Sequence, residues 1–284
     1  MDRCATPDTF VVFRTMSRVL VGRSLAAVGV VLGFVAPFVD IVSPGDSGAQ
    51  YNDDGTILAF LLVTLIVTAL ALAVSFAGRD LDVVAAVAGS AACGFYLLFP
   101  AAFGFNHFDA LGSGAWLGVC TALIPLGLWL SLSARSGPLT RTRIEVAAPA
   151  IAGRVLCIVA IWLTAESGVG ITYWNLIDRG RALPSLMLLL VLGGAALGVS
   201  TLVAPARFAV DGVLILGAVT FGLYGFEVIQ SAFDDFGNLG AGAWLGAAGG
   251  TVLLIGATSI WRHATGTAST AGDMSPAVAP PPAA

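Results

Sequence analysis

Few residues in this sequence have types and settings that could do chemistry. Glu166 and Glu227 fall within or beside long apolar runs, where an ionised carboxylate is costly to bury and marks a place to hold a cation or relay a proton. Tyr96 and Tyr224 also lie inside apolar runs, and their hydroxyls can hydrogen-bond between helices. These four outline a candidate polar cavity, with Arg179 or Arg181 available to pair with the glutamates. A second group, His107, Asp109, Asp234 and Asp235, accompanies Phe105, Phe108, Phe233 and Phe236. Two readings stand there: short interfacial segments whose carboxylates gather a cation, or solvated loops anchored by aromatic rings.

Enzymatic arrangements fail on their mechanical requirements. Gly112-Ser113-Gly114 has the setting of an intramembrane serine nucleophile but no histidine on another span, since His107 is in the adjoining loop and His263 follows the last run. The "GAAGGT" stretch from Gly246 lacks the lysine of a phosphate loop. Cys4, Cys93, Cys120 and Cys157 form no CxxC pair or His/Cys ligand set, so each reads as a small apolar residue. No catalytic group, metal or cofactor is expected, and the chain reads as non-enzymatic.

The elements that carry these residues follow from composition. The chain of 284 residues is 57% hydrophobic and 11% charged, with a mean hydropathy of +0.93. That is more apolar surface than a soluble core of this size can hide. A bilayer core of about 30 Å is crossed by about 20 apolar residues in a helix, because other backbone conformations leave polar groups unpaired in lipid. The pattern predicts an all-α integral membrane protein with eight transmembrane helices near 24–42, 57–77, 83–103, 115–134, 155–173, 184–204, 212–229 and 241–261. Arginines cluster before the first run and in alternate loops, with only Arg179 and Arg181 on the other side. The positive-inside rule then sets both termini in the cytoplasm of a bacterial plasma (inner) membrane. All basic residues are arginine, a bias that suggests a GC-rich bacterial source. No basic cluster with interleaved aromatics points to nucleic acid.

"FNHFDALGSGAWLG" from Phe105 aligns without gaps to "FDDFGNLGAGAWLG" from Phe233, identical at 9 of 14 positions. The same register matches Gly94 and Tyr96 with Gly222 and Tyr224, and Arg79 with Arg207; a small shift sets Gly22-Arg23 against Gly153-Arg154. The expected organisation is a cytoplasmic segment 1–23, a four-helix repeat 24–134, a cytoplasmic linker 135–154, a second four-helix repeat 155–261 and a disordered Pro/Ala-rich tail 262–284. An even number of spans per copy makes the repeats parallel. Gly114, Gly118, Gly242 and Gly246 have the small-xxx-small spacing of close helix packing.

In the shifted register Glu166 faces Val35, while Glu227 faces Phe99, so both carboxylates belong to one copy. If Arg154 marks the membrane boundary, Glu166 lies about 18 Å along its helix. A fifth helix running from Val146 to Ala165, or one that breaks at "ESGVG", leaves Glu166 at the water interface instead.

The loop "FVAPFVDIVSPGDSGAQYNDDGT" after the first run and the closing "GxGAWLG" helix resemble uncharacterised Ala/Gly-rich polytopic membrane proteins of actinobacteria. Phe38 follows Pro37 where tryptophan would be more usual, and the resemblance implies no activity. The expected partners are the lipid bilayer and a further membrane protein or a second copy. The expected function is an accessory or interaction component of the envelope, with a small-solute or ion transporter holding its site between the repeats as the alternative.

Overall fold

The computed structural model describes residues 7–42, 46–47, 56–103, 111–135, 137, 139–164, 172, 183–234 and 239–272. It is helical apart from a short antiparallel hairpin that pairs β1 (Asp40–Val42) with β2 (Asp46–Ser47). The helices are α1 (Pro7–Val35), α2 (Thr56–Phe76), α3 (Asp82–Phe103), α4 (Ser113–Val119), α5 (Leu123–Ser133), α6 (Ile144–Trp162), α7 (Leu183–Val203), α8 (Arg207–Asp234) and α9 (Ala241–Gly272).

Six helical stretches among the described residues are long and apolar enough to cross a bilayer: Thr15–Phe38, Ser113–Ser133, Ile144–Trp162, Leu183–Val203, Arg207–Gly225 and Ala241–Gly266. Leu61–Phe76 and Asp82–Leu97 are shorter apolar helices. Large apolar side chains such as Val31, Leu70, Leu126, Leu189, Val199 and Ile255 point outward and are more than half exposed. In water such surface would be a liability; against lipid it is the expected covering. The chain is a multi-pass membrane protein.

Local chemistry sets the helix ends. Pro37 cannot donate a backbone N–H, and α1 tightens into a 3-10 turn over Ala36–Phe38 and stops, short of the expected 42. Gly78 ends α2 in a left-handed conformation at φ +92. Its N–H reaches the Ser75 oxygen, and that of Arg79 the Val74 oxygen, the two bonds of a Schellman motif. Pro125 removes a donor within the fourth apolar run, and a 3-10 turn at Cys120–Ala122 separates α4 from α5. Leu253 takes the matching place in α9, which is continuous there.

Two expectations are corrected. The fifth helix is Ile144–Trp162, not 155–173: extended backbone at Arg143 starts it, and Glu145 in its first turn complements the helix dipole. Leu163 is extended and Thr164 bridges to Thr172, so the chain has left the helix before Glu166. Residues 144–154 of the expected 135–154 linker are therefore helix, and Arg154 lies inside it. The last helix runs to Gly272, past the expected tail boundary at 262. Alanine-rich sequence favours that extension, and buried Ala264 accepts a hydrogen bond from the Thr140 amide.

Helix α1 packs mainly on α5, α6 on α9, and α3 on α8. Ala26, Leu65, Tyr96, Ile124 and Leu128 form one buried cluster, and Cys157, Ile161, Met187, Leu223 and Tyr224 another. The α3–α8 crossing joins them through glycine. A Cβ on Gly94 would collide with the Val219 carbonyl oxygen, and one on Gly222 with that of Ala91.

Candidate functional site

Glycine brings the two predicted tyrosines into position. Gly118 lies against the Tyr96 ring, where a Cβ would stand 2.5 Å from the ring carbon Cδ1, and Gly246 lies against the Tyr224 ring in the same way. Gly114 and Gly242 meet backbone: a Cβ on either would stand 2.8 Å from a carbonyl oxygen, that of Ala36 or of Ala160. The Tyr96 hydroxyl donates to the Gly33 oxygen at 2.6 Å, and the Tyr224 hydroxyl to the Cys157 oxygen at 2.9 Å. Both tyrosines are buried.

The two hydrogen bonds are not equivalent. The residue four beyond Gly33 is Pro37, which has no N–H for that carbonyl, whereas the residue four beyond Cys157 is Ile161 within α6. Tyr96→Phe is expected to destabilise toward the upper end of the range of about 1 to 3 kcal/mol for an abandoned buried acceptor, and Tyr224→Phe by about 1 kcal/mol. Detergent melting temperatures of the two variants check this; equal shifts would remove the role assigned to Pro37.

The remaining candidates are dispersed or lie outside the described residues. Glu166, His107, Asp109 and Asp235 are outside them. Glu227 and Asp234 are on α8, with side chains outside the described set. Among the described residues no group of three His, Cys, Asp or Glu could hold a metal ion. Cys93, Cys120 and Cys157 are free thiols.

Three buried charges were missed in the sequence, where they look like ordinary boundary residues. Asp82 opens α3, and its carboxylate is fully buried. Arg23 donates to it through Nε at 3.0 Å and Nη2 at 3.1 Å, Arg135 through Nη2 at 2.6 Å, and Ser131 through its hydroxyl at 2.9 Å. Arg23 also donates to the Ser75 oxygen at 2.8 Å, and Arg135 is held by Asp80. Burial works against the Arg135 charge, but Asp80 and Asp82 outweigh it and raise its pKa. Four helices are tied at this point: α1, the end of α2, α3 and α5.

Asp211 is the second buried carboxylate, one turn into α8. The Trp261 indole N–H donates to it at 2.9 Å, with Arg207 Nε and the Ser133 hydroxyl each at 3.3 Å. Nearby, Trp129 stacks on Phe208 at 4.4 Å and donates to its carbonyl oxygen at 3.0 Å. Ser133 and Trp129 reach these partners from α5, so this cluster ties the first half of the chain to the second. The recurrence of arginine with aspartate, Arg79 to Asp82 and Arg207 to Asp211, was the available signal.

Arg154 is the third. It is 7% exposed, and its Nε has no hydrogen-bond partner. Its guanidinium faces Gly194 and Gly198 of α7. The two carboxylate clusters are internally neutralised, which is structural work; of the three buried charges among the described residues, Arg154 is the one that keeps unused binding capacity. No family model, curated protein or solved structure matches the chain.

Proposed function

We propose that the chain is a non-enzymatic accessory or interaction component of a bacterial inner membrane, with eight spans arranged as two parallel four-helix units and both termini in the cytoplasm. At 1.5 Å per residue, the 21 residues of α2 and 22 of α3 reach about 30 Å, enough to add two spans to the six. Reciprocal contacts support the duplication: Gly94 abuts Val219 while Gly222 abuts Ala91, and Tyr96 rests on Gly118 as Tyr224 rests on Gly246. The tyrosine bonds set Gly33 against Cys157. In that register Arg154 falls opposite Val30, not opposite Arg23, and the charge belongs to one copy.

The observation that carries the functional reading is the α3–α8 seam, where backbone meets backbone at Gly94 and Gly222 and both tyrosine hydroxyls are engaged within their own clusters. A transporter of this construction would need a polar path there.

Cysteine accessibility tests both the seam and the orientation. Ala92→Cys, Ala218→Cys and Leu223→Cys, in a chain with its native cysteines changed to alanine, are expected to resist a charged thiol reagent in inside-out and right-side-out vesicles. Gly137→Cys, at an exposed position with open space around it, is expected to react only in inside-out vesicles. Labelling of the seam positions from either side would replace this reading with the transporter.

A further inference from the structure

We propose that Arg154 and Thr142 form a binding site for a phosphate-type oxyanion between α6 and α7. A guanidinium does not lose its proton under physiological conditions, and inside a span it requires a counter-charge. Among the described residues none is supplied: the two buried carboxylates are engaged elsewhere, Asp82 by Arg23 and Arg135 and Asp211 by Trp261 and Arg207. An unpaired Arg154 would be a large uncompensated cost in a structure that otherwise neutralises its buried charge.

Small residues on α7 make room for the guanidinium. Helix α7 presents glycine to the guanidinium; a Cβ on Gly198 would stand 2.8 Å from Nη1, and one on Gly194 3.6 Å from Nε. One turn further along α7 is Thr201, whose hydroxyl is bonded to the Gly198 oxygen at 2.7 Å. Thr142 meets the same turn, its amide donating to the Thr201 oxygen at 3.4 Å. Thr142 is 3% exposed, and its hydroxyl has no partner. Two buried donors without acceptors thus flank the turn Gly198–Thr201.

Helical side chains slant toward the helix N-terminus, which directs Arg154 toward the Thr142 end of α6. Arg141 and Arg143 are exposed at that end, beside Glu145, and their field favours anions arriving there. A planar guanidinium and a hydroxyl on either side of one helical turn suit the tetrahedral oxygens of phosphate. The same chemistry is offered by the phosphodiester of a lipid headgroup and by free phosphate.

The test uses the full chain, delipidated in maltoside detergent. Its melting temperature is followed against inorganic phosphate, with chloride as the ionic-strength control, and against a short-chain phosphatidylglycerol kept below its micelle concentration. Wild type is expected to be stabilised by at least one of the two. A response to phosphate alone identifies a free-anion site, to lipid alone a headgroup site, and to both a site for the shared phosphate group. Arg154→Gln is expected to weaken the apparent affinity about tenfold or more, and Thr142→Val severalfold. If Arg154→Gln does not yield folded protein, Thr142→Val carries the comparison. No response in wild type beyond the chloride control, or an unchanged response in the variants, overturns the site.

Discussion

Asp82→Asn is expected to be among the most damaging single substitutions in this protein. The carboxylate is fully buried and holds two guanidiniums, those of Arg23 and Arg135, with Ser131 completing its hydrogen bonds. Removing one partner of a buried ionic cluster costs about 3 to 5 kcal/mol, because the cations left behind are uncompensated. Domains are stable by about 5 to 15 kcal/mol, so this loss takes a large share of the total. Asp80→Asn removes a carboxylate from the same arginine, but Asp80 is 60% exposed, and exposed pairs are worth about 0 to 1 kcal/mol. The expected result in detergent is a collapsed melting temperature or loss of the monodisperse peak for Asp82→Asn, against a small shift for Asp80→Asn. Adding Arg23→Gln to Asp82→Asn should recover part of the loss by removing the stranded charge. Similar small shifts in both single variants would show that Asp82 does not organise these helices.

That cluster illustrates what the sequence could and could not reveal. The ranges of α2, α3 and α7 were legible to within a residue or two, because uninterrupted apolar runs of membrane length permit little besides helix. The position of α6 is not legible, because an arginine such as Arg154 ordinarily marks a membrane boundary. Its burial depends on Gly194 and Gly198, which approach from another helix and cannot be aligned with it from sequence. Asp82 and Asp211 were overlooked for a related reason. Each stands near the start of an apolar run, where a charge is unremarkable, and only the convergence of α1, α3 and α5, or of α5, α8 and α9, reveals its partners.

The tyrosines and glycines were the more readable part of the candidate site, since their repeated spacing required a packing role. Even there the sequence register was incomplete. The closing-helix match sets Gly118 against Gly246, and each rests on a tyrosine ring, yet the tyrosine hydroxyls bond to Gly33 and Cys157, which the shifted register does not pair. Side-chain identity does not record that relation, because the groups involved are backbone carbonyls. Glycine pairs at shared spacing are informative about proximity and silent about which carbonyl they approach.

The reciprocal crossing of α3 and α8 yields a prediction in which the combination tells more than either single change. Gly94→Ala drives a methyl group into the Val219 carbonyl, and Gly222→Ala into that of Ala91. Backbone cannot rotate away as a side chain can, so the helices must separate. Each substitution is expected to destabilise by about 1 to 3 kcal/mol, the range for overpacking. Gly225→Ala lies on the same α8 with nothing within 4 Å. There the helix propensity of alanine should make the change neutral or stabilising by up to about 1 kcal/mol. The opposite sign separates a steric seam from a general intolerance of α8 to substitution. Because both contacts belong to one crossing, separation forced by the first methyl group relieves part of the collision at the second. The double variant should therefore lose less than the sum of the single losses, with a coupling of about 0.5 to 3 kcal/mol in a double-mutant cycle. Strict additivity would mean that the two glycines are accommodated independently, and the seam would then not be a single close-packed contact between the halves.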